Sequence, residues 1–198
     1  MIVDLKQRYE KPLIANAFNI WVDIRAPIRM VFQYLTQAPD LNRWWAWRCR
    51  SDPRPGGKLH AVWKAEQEIV GEAVFRQYEP PHRVIWEWTH RNGEPITCDG
   101  SDPRGMRWPA LNIFELACID ESTTRLHLHD LGIHAAPAYE NIRQASQIGW
   151  HHALTALKRI LEQRHGQRLL HSAHQSPTGE EAEPPPGPFS ENWQLTGA

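Results

Sequence analysis

Asp130 is the residue whose type and position most directly suggest chemistry. It continues the alternation Leu126, Leu128, Asp130, so the phase that turns two leucines inward turns this carboxyl inward too. A carboxyl taken out of water has a raised pKa and can serve as general acid or base near neutrality, although strand-end aspartates are also common as hydrated turn residues. Arg76, Tyr78 and His82 are candidate neighbours, but the phase of the strand carrying the first two is ambiguous. Glu87 and Glu115 fall in the outward phase of their strands. His127-x-His129 puts two imidazoles on one strand face, a spacing compatible with a transition metal. Because Leu126 and Leu128 take the inward phase, both histidines are expected in solvent, and no metal or other cofactor is expected. His151 and His152 sit about 100° apart on a helix, a poor chelating pair.

Tryptophan is the second unusual resource, with 10 in 198 residues. Trp63, Trp86, Trp88 and Trp150 fall on inward faces, where indoles either fill a core or wall a pocket for flat, ring-bearing molecules. The two readings are compatible. The run Arg43-Trp44-Trp45-Ala46-Trp47-Arg48-Cys49-Arg50 mixes cations and rings as single-strand nucleic-acid sites do. With 22 Lys+Arg against 23 Asp+Glu, no broad basic patch is expected, and neither is nucleic-acid binding. There is no GxSxG, P-loop, GxGxxG or HExxH, so the corresponding triad, nucleotide and zinc chemistries lack support.

The elements that position these groups follow from their periods. Phe18, Ile20, Val22 and Ile24 alternate with Asn19, Trp21, Asp23 and Arg25, which predicts a strand. Pro27 opens a short amphipathic helix bearing Ile28, Val31, Phe32 and Leu35, and a second short helix is expected over 40–45. Pro53 to Gly57 reads as a turn. Strands follow around Leu59–Trp63, over 68–78 and over 83–89, the last with Val84, Trp86 and Trp88 on one face. Residues 91–109 read as a long polar loop of the kind that forms lids. Two further strands carry Phe114, Leu116 and Cys118, then Leu126 and Leu128, on their inner faces. A long helix is predicted from Pro137 to about Gln163, with Gly166 as its stop. Five consecutive strands without crossover helices imply antiparallel hairpins, and the only matching apolar stripe is that of the final helix. The expected fold is α+β, a curved antiparallel sheet gripping a long C-terminal helix, with two short helices after the first strand.

Residues 1–15 form an N-terminal extension, 16–165 the domain, and 166–198 a Pro/Glu-rich tail with one arginine and four glutamates, which reads as disordered. Ser-Asp-Pro-Arg occurs at both 51–54 and 101–104 and reads as two turns. No apolar run approaches a membrane span and no signal-peptide core is visible. Cys49, Cys98 and Cys118 cannot all pair and form no CxxC, so a reduced, cytoplasmic setting is expected.

The order of elements carries recognisable words: Ile24-Arg25-Ala26-Pro27 with Val31-Phe32 and Leu35; Arg43-Trp44-Trp45; Asp52 through Pro55-Gly56-Gly57; and Tyr78-Glu79-Pro80-Pro81-His82-Arg83-Val84. Trp86, Trp88, Thr124-Arg125-Leu126 and Gly149-Trp150 with Leu154 and Leu157 complete the series. Together, over about 16–165, they resemble the START-like helix-grip (SRPBCC) superfamily, and within it the homologues of the heat-shock-chaperone ATPase activator. The resemblance implies a cavity between sheet and helix that relatives use for apolar or amphipathic small molecules, as carriers, as cyclases and other enzymes, or alongside protein contacts. Its lining is expected from Trp44, Trp63, Trp86, Trp88, Phe114, Leu116, Trp150 and Leu154, with Trp45 an alternative to Trp44 at one end. The leading expectation is a carrier, sensor or modest enzyme for a small apolar or aromatic ligand, lipids and polyketide-like aromatics included. The alternative is a protein-interaction module contacting a chaperone. The eukaryotic activators carry a separate chaperone-binding domain before this one, which the short N-terminal extension does not supply. A third reading makes Asp130 an acid or base in a reaction.

Overall fold

The computed structural model describes residues 18–64, 67–96, 106–133 and 136–174, with side chains left out at 106–108 and 172–174. The first alternating run forms β1 (Phe18–Ile24). Pro27 stands at the N-cap of α1 (Ile28–Thr36), which buries Val31, Phe32 and Leu35. Gln37, in an extended conformation, separates it from α2 (Ala38–Trp44), whose first turn contains Pro39, where the missing N–H costs no helical bond. The Trp44 indole N–H then donates to the Tyr34 carbonyl at 2.9 Å, locking one short helix onto the other.

The chain continues through β2 (Arg48–Ser51), β3 (Lys58–Trp63), β4 (Ile69–Glu79), β5 (Arg83–Arg91) and the two-residue β6 (Glu94–Pro95). β7 (Met106–Asp120), β8 (Thr123–Ile133), a 3-10 turn at Pro137–Tyr139 and α3 (Glu140–His174) follow. In the turn before β3, a Cβ at Gly57 would lie 1.9 Å from the Asp52 carbonyl oxygen, so only glycine closes it. All pairings are antiparallel, in the order β1-β8-β7-β5-β4-β3-β2 with β6 beside β5. Register shifts in β4–β5 and β7–β8 bend the sheet, as bulges do.

α3 lies in the concave face. Its Trp150, Leu154, Leu157 and Leu161 enter the same core as Ile20, Phe75, Trp86, Phe114, Leu126 and Leu128. Lys158 donates to the Asp23 carbonyl at 2.6 Å and the Arg25 backbone N–H to Glu162 at 3.0 Å, fastening the helix to the edge strand β1. No helix among the described residues is long and apolar enough to cross a membrane.

The α+β architecture matches the expectation, with several differences in detail. β2 is a four-residue edge strand of sequence RCRS that shows no apolar alternation. The predicted 91–109 loop is shorter: β5 runs on to Arg91, turns at Asn92 and Gly93 with positive φ, and β7 already begins at Met106. The second Ser-Asp-Pro-Arg lies outside the described residues. α3 does not stop at Gly166 but continues to His174; a Cβ at Gly166 would meet nothing within 4 Å, and the glycine sits within the helix without ending it. Cys118, expected on the inner face, is exposed, since the strand pair β7–β8 shifts register just beyond it. Glu87 does face outward but is only 2% exposed, covered in an ion pair with Arg76.

Candidate functional site

One side of the grip is left unfilled, between the β5–β7–β8 face of the sheet and the first half of α3. The cavity there measures about 420 Å³ and is walled by Trp45, Trp63, Trp88 and Trp150. Two glycines make the room. A Cβ at Gly71 would stand 2.6 Å from the Trp88 ring and 3.0 Å from that of Trp63, so both indoles lie directly on the β4 backbone. Gly149 of α3 faces open space on the opposite wall.

The indoles pack on one another rather than singly. Trp45 meets Trp63 edge-on at 5.0 Å and stacks nearly parallel to Trp150 at 6.1 Å, while Trp63 and Trp88 are 5.9 Å apart. Such spacings are those of favourable aromatic pairs, so the indoles support one another in the wall. The Trp63 N–H is spent on the Trp45 carbonyl at 3.1 Å, which fixes the chain just after α2.

Asp130 is 8% exposed and sits on the cavity wall as the inward phase requires. A directional chain of hydrogen bonds ends on it. The Trp88 N–H donates to Asn112 Oδ1 at 2.6 Å, which turns the Asn112 amide so that its Nδ2 donates to Asp130 Oδ2 at 2.8 Å. The Trp150 N–H donates to the same Oδ2, also at 2.8 Å. The other oxygen, Oδ1, has no hydrogen-bond partner among the described residues. Burial pushes the carboxyl pKa up to about 7 against the opposing pull of the Trp150 and Asn112 hydrogen bonds. Asp130 therefore exchanges its proton near neutral pH.

Of the residues expected to line the cavity, Trp63, Trp88 and Trp150 do so. Trp44, Trp86, Phe114, Leu116 and Leu154 are buried in the core beneath, where they support the wall without reaching the space. Trp45 rather than Trp44 closes the end, because the Trp44 N–H is held back by Tyr34. Arg76, Tyr78 and His82 do not join Asp130. The bulge between Phe75 and Gln77 sends Arg76 to the outer face against Glu87 and brings Tyr78 inward onto Phe32 and Phe75. Asn112 is not among the residues singled out above, although its phase marks it: it shares the inward face of Phe114 and Leu116, where an amide is out of place unless it is hydrogen-bonded.

His127 and His129 face away from the cavity, as their phase requires, but they are half-buried rather than free in solvent. Burial and the neighbouring His129 hold the His127 imidazole below its usual pKa.

A curved antiparallel sheet closed over a long helix, with a side cavity between them, defines a START-like helix-grip protein. Within that class the chain belongs to the family described as Activator of Hsp90 ATPase homolog 1-like protein, whose profile matches residues 25–162. Solved structures agree on the fold. Protein NE0264 from Nitrosomonas europaea superposes with a TM-score of 0.59 at 19% identity, covering 76% of this chain and 96% of that one. An HSP90 activator from Plasmodium falciparum gives 0.54 at 21%, covering 73% and 95%. DynU16, from the dynemicin biosynthetic locus, gives 0.56 at 16%, covering 74% of this chain and 47% of its own. No curated protein matches the sequence.

Proposed function

We propose that the cavity holds a small apolar or aromatic molecule bearing one hydrogen-bond donor, such as a hydroxyl or N–H, which is received by Asp130 Oδ1. The observation that carries this reading is the open carboxylate oxygen in a wall to which four indoles contribute, beside aliphatic groups such as Ile69, Leu131 and Ile133 and the polar His90, Arg91 and Ser146. The volume of about 420 Å³ lies within the range of small-molecule sites. Flat rings suit the indole faces, and a single polar anchor sets their orientation. Because its carboxyl titrates near pH 7, Asp130 is equipped to give or take a proton from a bound molecule as well as to hold it. DynU16, from the dynemicin biosynthetic locus, shares the fold.

The test is a thermal-shift and native mass-spectrometry screen of phenols, indoles, fatty acids and steroids. A compound present at 100 times its dissociation constant raises stability by about 2.7 kcal/mol. The expected hits are ring compounds with a donor, and they should be lost when Gly149→Leu fills the wall. A panel that leaves the wild-type melting temperature unmoved overturns the proposal.

The family description favours a second reading, contact with the Hsp90 chaperone. It predicts that the purified chain raises the ATPase rate of the chaperone, and an unchanged rate with no co-elution removes it.

A further inference from the structure

The outer face of the sheet carries a cluster that the cavity does not use. β7 and β8 pair so that Glu115 stands directly opposite His127, and His129 follows two residues on along the same face. One ligand atom from each of Glu115, His127 and His129 falls within 4.8 Å of the others. His129 Nε2 already lies 3.2 Å from Glu115 Oε2, and the two imidazole rings are 3.8 Å apart. Arg83 on β5 lies 3.7 Å from the other oxygen, Oε1, and so steers Oε2 toward the histidines. From β1, the otherwise exposed Trp21 stacks on His127 at 5.3 Å. His127 Nε2 is buried there with no hydrogen-bond partner among the described residues.

We propose that Glu115, His127 and His129 form a binding site for a borderline divalent transition metal, with zinc as the natural candidate and water completing the coordination. Two imidazoles and a carboxylate are the donor set that such ions take. Tetrahedral bonds of roughly 2.0–2.2 Å place donor atoms about 3.4 Å apart, so the His129–Glu115 pair already has the spacing and a modest turn of the rings closes the rest. A histidine nitrogen buried under an indole without a partner is a rarity that an ion resolves. The alternation with Leu126 and Leu128 by itself predicts only that the histidines face water. The cross-strand register and the Trp21 cover, neither of which the spacing His-x-His reveals, change that expectation.

The experiment titrates the chelator-treated 198-residue chain with Zn²⁺ by calorimetry, and with Cu²⁺ as a spectroscopic substitute. One ion per chain is expected. The double substitution His127→Gln/His129→Gln should weaken Zn²⁺ binding at least 100-fold, and Glu115→Gln about 10-fold. Cu²⁺ should quench the fluorescence of Trp21, the indole on His127, so Trp21→Phe removes the quenched component without changing Zn²⁺ stoichiometry. In the unaltered protein, the Cu²⁺ electron paramagnetic resonance spectrum should show two imidazole nitrogens, a readout independent of how any variant folds. Absence of a stoichiometric site, an unchanged Zn²⁺ affinity in the folded double variant, or a spectrum with fewer than two nitrogens overturns the proposal.

Discussion

Replacing Asp130 with Asn isolates the energetic consequence of placing a carboxyl in the cavity wall. The introduced amide can point its oxygen at Asn112 Nδ2 and the Trp150 N–H, so both 2.8 Å hydrogen bonds survive. What disappears is the ability to ionise. In the wild type the carboxyl titrates at 3.8 when exposed and at about 7 when folded. The folded state therefore holds its proton over a pH range in which the unfolded chain has lost it. The contribution to stability is fully present below pH 3.8, falls as pH rises, and is gone above pH 7. At about 1.36 kcal/mol per pH unit, the whole difference is about 4 kcal/mol, an upper figure for a site that water can reach. Between pH 5 and 8 the part remaining to be lost is about 3 kcal/mol.

Asp130→Asn should therefore be more stable than wild type at pH 8, and its advantage should shrink by roughly that amount at pH 5. In a chain of this size the change corresponds to a melting-temperature gap widening by roughly 5–10 °C. Every other titrating group is common to both proteins and cancels in the difference. The assay is paired denaturant or thermal melts at half-unit pH steps. A gap that stays constant from pH 5 to 8, or a carboxyl resonance of Asp130 titrating near pH 4, would refute the reasoning.

Other substitutions probe the walls. Gly149→Ala replaces a poor helix former where its new methyl meets nothing within 4 Å, so chemical denaturation should show a gain of about 0.5–1 kcal/mol. Gly71→Ala must displace the Trp88 and Trp63 rings, one of them tied to Asn112, and should cost about 1–3 kcal/mol with altered near-UV circular dichroism. Phe114→Ala opens a hole in the filled core and should cost about 3–5 kcal/mol by denaturant melts. Thr124→Val leaves the buried Ala26 carbonyl without its 2.8 Å partner and should cost about 1–3 kcal/mol, read in the same melts.

Much of the architecture is legible in the periods. The alternation in β1 and β8, Pro27 at the start of α1 and the leucine spacing of α3 each identify an element and the face it buries. The limits of that legibility have physical causes. β2 lies at the edge of the sheet and is four residues long, with Cys49 its one side chain packed on the core, too short a run for apolar alternation to be read. The phase of β4 cannot be read through Arg76 because a bulge inserts there and reverses which side chains point inward. Phase also says which way Glu87 faces but not that Arg76 covers it.

The site divides in the same manner. Asp130 is readable because its own strand carries its phase, and Asn112 was readable by the same rule. Choosing which tryptophans border open space is a question of depth. Trp86 and Trp88 share a face, yet one is sealed against Phe114 and the other lies on Gly71. The Glu115–His127–His129 cluster depends on the register between two strands, which no single run of residues records.

In the proposed mode of binding, Asp130 Oδ1 receives a guest among the indoles of Trp45, Trp63, Trp88 and Trp150. The most direct measurement of this binding is a crystal structure of the protein soaked with indole. The expected result is the ring lodged against Trp63, Trp88 and Trp150 with its N–H on Asp130 Oδ1. A cavity closed by its own tryptophans, with Oδ1 satisfied from within the protein and indole elsewhere or absent, would contradict it.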